Sequence, residues 1–316
     1  MDSALRPMST SQLLDRTFQL YRTNFVLFAG IAALPPALLL VGQFLMVLVG
    51  LKGDRANPFA SLVPMLAVAG ISLVLYFVGY CLATGANIFA VSRTHLGKPT
   101  SIGESYQEIR PYTWSMIKIA ILAVLAAFAV MLVAVVPFAA ISAMRIGGGV
   151  LGALAALLSG LLMIVAAVFA VRLSLSFSVA PAACVIEKNS GAMECLRRSR
   201  FLTKGALGRI FLLQLLAGVI AFTLSMVLNL PAGIAASALG VAAKGSLAVA
   251  FWEFLANFGA TMLAGPIATI SIALIYYDLR VRKEAFDLQL MMEAVGMARP
   301  DQAQAQAAGG SAPSIG

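Results

Sequence analysis

The chain has 316 residues, 61% apolar and only 11% charged, with a mean hydropathy of +0.94. A soluble domain carries about 25% charged residues, so there are too few charges here to wet a particle of this size, and most of its exterior must face hydrocarbon. The 22 Lys and Arg against 13 Asp and Glu give a formal charge of +9, which in a soluble protein would point to a polyanionic partner.

Chemistry-bearing residues are sparse. Cys81 lies inside an apolar run and Cys184 and Cys195 in a basic connecting segment, which is neither a disulfide framework nor a zinc spacing. The single His, His95, removes most of the usual acid–base and metal-binding repertoire. No catalytic residue, cofactor or metal site is expected.

In chain order, Ser9 to Asn24 reads as an amphipathic helix, with Ser9, Thr10 or Ser11 as N-cap and Leu13, Leu14, Phe18 and Tyr21 on one face. Six apolar stretches follow: Phe25 to Leu51, Leu62 to Val91, Trp114 to Met144, Val150 to Val171, Leu207 to Leu230 and Leu247 to Tyr277. Each exceeds the ~20 residues that cross a bilayer core. They are continuously apolar rather than alternating, which in lipid selects helices over a barrel. The first run, too long for the ~7–15 residue core of a cleaved signal, is read as a retained span. The predicted fold class is all-α and integral to the membrane, with six transmembrane helices arranged as three hairpins.

Orientation follows from the cations. Alternate connecting segments place 18 of the 22 Lys and Arg on one side and only Lys52, Arg55, Arg145 and Lys244 on the other. The positive-inside rule then puts both termini in the cytoplasm. The basic excess becomes a record of topology, and a nucleic-acid partner is not expected.

Each hairpin is preceded by a short cytoplasmic amphipathic segment. Leu14, Arg16, Thr17, Leu20 and Arg22 match Leu196, Arg198, Ser199, Leu202 and Lys204 at one constant offset. A weaker middle copy places Ile102, Ser105 and Arg110 at the positions of Leu14, Thr17 and Arg22, with Glu104 and Glu108 departing from it. The same spacing aligns Pro137 with Pro231. This suggests a threefold repeat over 9–91, 100–179 and 190–277 within a membrane domain covering 1–298. The segment 276–291 adds a Tyr pair suited to the aromatic belt. A juxtamembrane helix over 278–295 follows, with i,i+4 pairs Asp278–Arg282, Arg280–Glu284 and Lys283–Asp287. The tail 299–316, rich in Ala, Gln, Gly and Ser, is expected to be disordered.

The stretches LLDRTFQLYRTNF (13–25), CLRRSRFLTKGALGRI (195–210) and IYYDLRVRKEAFDLQLM (275–291) together resemble the membrane domain attached to some bacterial glycerophosphoryl diester phosphodiesterases and also found free-standing. The likeness implies the membrane fold over about residues 9 to 295. The catalytic barrel of the complete enzymes, with its His-Arg-Gly motif, has no counterpart, because His95 is followed by Leu96 and Gly97. No site residue carries over.

Two kinds of residue remain as candidates. Arg16, Arg22, Arg198, Lys204, Arg280, Arg282 and Lys283 can meet lipid phosphates from helices at the boundary. Snorkelling that serves only anchoring explains them equally. Glu253 is the main intramembrane polar candidate. It lies early in the sixth run, where Lys244 can pair with it at the outer rim. Asn87, Gln214, Asn229 and Asn257 suit interhelical hydrogen bonds. Small residues at helical spacing (Gly152, Ala156, Gly160; Gly259, Ala260, Ala264, Gly265) suit close helix approach, and Pro35-Pro36, Pro137 and Gly265-Pro266 suit kinks or breaks.

The expected function is that of a non-enzymatic multi-pass protein organising lipids, anionic ones among them, or partner proteins through its basic helices. The alternatives are a small-molecule or lipid transporter and, through the family likeness alone, a lipid-phosphodiester enzyme. Partner proteins and a homo-oligomer are left open.

Overall fold

The computed structural model describes residues 8–52, 58–143, 150–188, 191–238 and 247–284. Its elements are α1 (Thr10–Thr23), α2 (Phe25–Ala32), α3 (Leu34–Lys52), α4 (Pro58–His95), α5 (Ile102–Ile109) with the 3₁₀ turn Arg110–Tyr112, α6 (Thr113–Ala143), α7 (Val150–Phe177), α8 (Ala180–Ile186), α9 (Ala192–Thr203), α10 (Leu207–Ala238) and α11 (Leu247–Glu284). Among the described residues there is no strand, and six helical spans are long and apolar enough to cross a membrane. The tail and the loops around Gly53, Gly147 and Gly240 lie outside the described residues, as do Lys244 and Asp287.

The long helices pair as α3–α4, α6–α7 and α10–α11. Close approaches give the direction of two of these pairs. Gly42 faces Ser72 while Gly79 faces Pro35 and Leu38, so α3 and α4 are antiparallel. Trp252 meets Leu228 while Arg209 meets Asp278, so α10 and α11 are too. A Cβ on Gly42 would lie 2.0 Å from Ser72 Oγ, which makes glycine a requirement of that hairpin. Gly259 and Gly265 sit against Leu228 and Ala32 at ordinary contact distance, but Gly160, expected at a helix interface, has nothing within 4 Å of its Cβ position.

The prolines explain where helices break and what repairs them. Pro35 has no N–H for the carbonyl of Ile31 four residues earlier, and the first apolar run divides at Ala33 into α2 and α3. Tyr106 Oη donates to that Ile31 carbonyl at 2.6 Å. Pro137 and Pro266 instead remain inside unbroken helices, so neither span breaks there, and Pro231 likewise lies inside α10. Near two of them an aromatic side chain donates to the carbonyl three residues before the proline, next to the one that the proline leaves without a helical donor. Trp252 Nε1 donates to the Leu228 carbonyl at 3.0 Å and Tyr21 Oη to the Leu263 carbonyl at 2.8 Å. Of the three aromatic donors, Tyr106 is the one that meets a carbonyl freed by a proline, that of Ile31 four residues before Pro35.

The packed core lies at one end of the bundle, here called the basal end, where α5, α8, α9 and the start of α1 gather. It contains Ile88 and Val91 of α4, Met116 and Ile119 of α6, α8, Ile210 and Leu213 of α10, and the run Ile270–Leu279 of α11. Burial is uneven. In the apolar window of the last span 56% of residues are buried within the chain, against 11% in the spans containing α4 and α6 and 12% in that containing α7. The α6–α7 hairpin therefore leaves apolar side chains exposed around its circumference, as lipid contact requires.

Helix α1 begins with a capping box: Ser9 Oγ accepts from Gln12 N, and Gln12 Oε1 accepts from Ser9 N. It runs lengthwise along α11. Met8 bonds Asp278 at its start and Tyr21 bonds Leu263 at its end, a 15-residue interval on α11 that spans about 22 Å. Its buried stripe is Leu13, Thr17 and Leu20, while Phe18, expected on that face, points outward. Thr17 fits the inner face because its hydroxyl is satisfied by the Leu13 carbonyl at 2.8 Å.

Candidate functional site

The last turns of α11 organise the basal end. Tyr276 and Tyr277, expected at the lipid boundary, are instead buried in the protein, because their hydroxyls find polar partners there. Tyr276 Oη donates to Glu187 Oε1 at 2.6 Å, and Tyr277 Oη bonds Ser92 Oγ at 2.9 Å. The helix continues without interruption to Glu284, so residues 278–284 of the expected juxtamembrane helix are its final turns.

Two ion clusters flank these tyrosines. In the first, the Asp278 carboxylate is wholly buried and accepts from Met8 N (2.8 Å), Arg209 Nη1 (2.8 Å) and Arg282 Nε (2.9 Å). The same two guanidinium groups donate to the Met8 carbonyl, each at 2.8 Å. Five hydrogen bonds thus tie the entry to α1, the start of α10 and the end of α11 around one carboxylate. In the second cluster Arg198 Nε donates to Glu187 at 2.9 Å and its Nη2 to Glu284 at 2.7 Å, while Arg280 Nε donates to Glu284 at 3.3 Å. Burial works to lower the pKa of Arg198, but its hydrogen bonds to Glu284 and Glu187 outweigh this and raise it, so the guanidinium stays charged. Lys283 Nζ donates to the Phe201 and Lys204 carbonyls at 2.6 and 2.8 Å, closing the C-terminal end of α9.

The seven candidate headgroup cations therefore divide. Arg198 of α9 and Arg280, Arg282 and Lys283 of α11 are engaged within the protein. Arg16 donates to Gln19 Oε1 at 2.8 Å on its own helix, and Arg22 and Lys204 are exposed. Glu253 is also exposed, and its carbonyl accepts from Asn257 Nδ2 at 2.8 Å. Asn229 bonds the Ser225 carbonyl of its own helix. These two amides thus back-bond locally instead of bridging helices, since each has a carbonyl one turn away. Asn87 is buried in α4.

The aligned short helices share one inner position. Thr17, Ser105 and Ser199 are each fully buried; the first two bond one turn back in their own helices, and Ser199 reaches the Ser176 carbonyl at the end of α7, 2.7 Å away. Glu104, the departure in the middle copy, pairs with Arg93 at 3.2 Å and so fixes α5 to the end of α4. Glu187, Arg209 and Asp278 were not singled out as site residues by sequence. Their signal was that acids are scarce, and an acid next to a span must find a partner. Among the described residues no group of three or more His, Cys, Asp or Glu side chains is placed to hold a metal ion.

The segments 13–25, 195–210 and 275–284 meet at these clusters: α1 and α9 both pack on α11, and Arg209 of α10 closes the first cluster. No family model, no curated protein and no solved structure matches the chain.

Proposed function

We propose that this chain is a non-enzymatic protein of a bacterial inner membrane, with both termini in the cytoplasm, that organises anionic lipid beneath and around its spans. One observation carries the reading. Four of the seven cations are engaged by carboxylates and carbonyls inside a stapled basal core, whereas Lys204 remains exposed at that end and Arg16 and Arg22 lie higher up along α1, outside both clusters. A rigid plate with outward cations next to lipid-exposed spans suits the attraction of an anionic leaflet. The convergence of segments 13–25, 195–210 and 275–284 supports reading the chain as a free-standing relative of the glycerophosphoryl diester phosphodiesterase membrane domain. Those are the stretches least dictated by hydropathy.

The test is native mass spectrometry of the full chain with phosphatidylglycerol and phosphatidylethanolamine added together. Preferential retention of phosphatidylglycerol is expected, and equal retention would overturn the reading. Reporter fusions at Gly103 and Gly191 should be cytoplasmic and those at Gly53, Gly147 and Gly240 periplasmic. A second reading, a transporter, draws on Glu253 and Asn257, polar side chains exposed within the last apolar span. It predicts substrate flux in reconstituted vesicles that Glu253→Gln impairs.

A further inference from the structure

We infer that the cleft between the start of α6 and the start of α9 is a binding site for the phosphate of an anionic phospholipid, with Lys118 and Arg197 as its cationic ligands. This rests on the lipid-organising reading above and gives it a location outside the seven cations that sequence singled out. The cleft has a volume of about 640 Å³ and is lined by Lys118 and Leu122 from α6 and by Met193, Glu194 and Arg197 from α9. That is within the range of roughly 300–1,000 Å³ typical of ligand sites.

Three observations select the occupant. The first is charge. Two cations from two different helices face one carboxylate, so the cleft carries one excess positive charge. None of the ion pairs among the described residues involves Lys118 or Arg197. A phosphodiester monoanion neutralises that excess, with Glu194 as the one lining charge that opposes it.

The second is position. Trp114, Lys118 and Leu122 succeed one another at i, i+4 and i+8 on one face of α6. Trp114 is 65% exposed, and the Lys118 ammonium lies 5.6 Å from its ring centroid. An exposed Trp beside a cation at the start of an apolar helix marks the headgroup level. The third is continuity. Beyond Leu122 the helix exposes Leu125, Phe128, Leu132 and Val133, an apolar surface along which the acyl chains of a lipid held at Lys118 can lie. A soluble phosphate would have no use for that surface.

The experiment compares variants of the full chain in native mass spectrometry, with phosphatidylglycerol and phosphatidylethanolamine as probes and inorganic phosphate as competitor. Lys118→Gln/Arg197→Gln is expected to lower the phosphatidylglycerol preference roughly fivefold or more. Glu194→Gln is expected to raise it, a change that misfolding would not mimic. Lys98→Gln/Arg172→Gln removes the same charge elsewhere on the same end and should leave the preference unchanged. If wild type shows no preference, the lipid-organising reading falls and the site with it. If wild type shows it and Lys118→Gln/Arg197→Gln keeps it, or the Lys98/Arg172 control loses it equally, only the site is overturned. Displacement of the lipid by inorganic phosphate would overturn the choice of a phospholipid as occupant.

Discussion

Helix α11 and the α6–α7 hairpin are made of similar apolar residues but do opposite jobs. From Ile270 to Leu279 α11 is buried almost completely, and its flanking polar groups reach α1, α8, α9 and α10. The hairpin turns Val124, Leu125, Phe128, Leu157, Leu161 and Val168 outward. Hydropathy separates the two only in degree, the last span being the less apolar, because lipid is as apolar as a protein interior. Polar content does separate them. The buried half of α11 carries Tyr276, Tyr277 and Asp278, which only a protein environment can satisfy, and the hairpin between Ile119 and Val171 carries few side chains needing a partner.

This contrast predicts where the molecule breaks. Asp278→Ala should be the most damaging single change, costing about 3–5 kcal/mol, because it removes at one stroke the buried acceptor of the Arg209 and Arg282 guanidinium groups and of the Met8 N–H, at about 1.5–3 kcal/mol for each charge-assisted bond before water compensates. Thermal unfolding in detergent should show a large drop in Tm. An unchanged Tm would mean that the cluster does not staple the basal end. Next comes Leu274→Ala. Leu274 is fully buried, and truncation there should cost about 2–5 kcal/mol in the same measurement. Tyr106→Phe should cost less, about 1–3 kcal/mol. It strips the donor from the Ile31 carbonyl that Pro35 has already deprived of its helical partner, and a neutral result would show that the broken first span needs no such repair.

What sequence reveals follows the same division. Spans, hairpins and the N-cap region of α1 were legible because length, continuous apolarity and capping residues are local properties. The Asp278–Arg282 and Arg280–Glu284 pairs were legible as well, at helical spacing. The other half of each cluster was not. Arg209 and Met8 lie 69 and 270 residues from Asp278, and no periodicity connects them. Tyr276 and Tyr277 look like belt residues until Glu187 and Ser92 are seen opposite them. The division of the seven cations was hidden for a related reason. Arg198 has the same local pattern as Arg16, and only the fold brings Glu187 and Glu284 to the former. Lys118, in contrast, reads locally as a snorkelling residue. It gains its interest from the start of α9, which lies far along the chain.

The smallest expected effect is the most discriminating for this comparison. Leu125→Ala on α6 repeats the substitution made at Leu274, deleting the same atoms from the same residue type in another apolar helix. Leu125 is 56% exposed, so in the folded and unfolded membrane states alike its side chain contacts mostly lipid or detergent, and no cavity forms when it is shortened. The expected change in stability is within about 0.5 kcal/mol, read as a Tm indistinguishable from wild type while Leu274→Ala falls sharply. A comparable loss at both positions would mean that the outward face of α6 is covered by protein in the assembled molecule, through a second copy or another chain. The hairpin would then be an interface and not a lipid-facing surface.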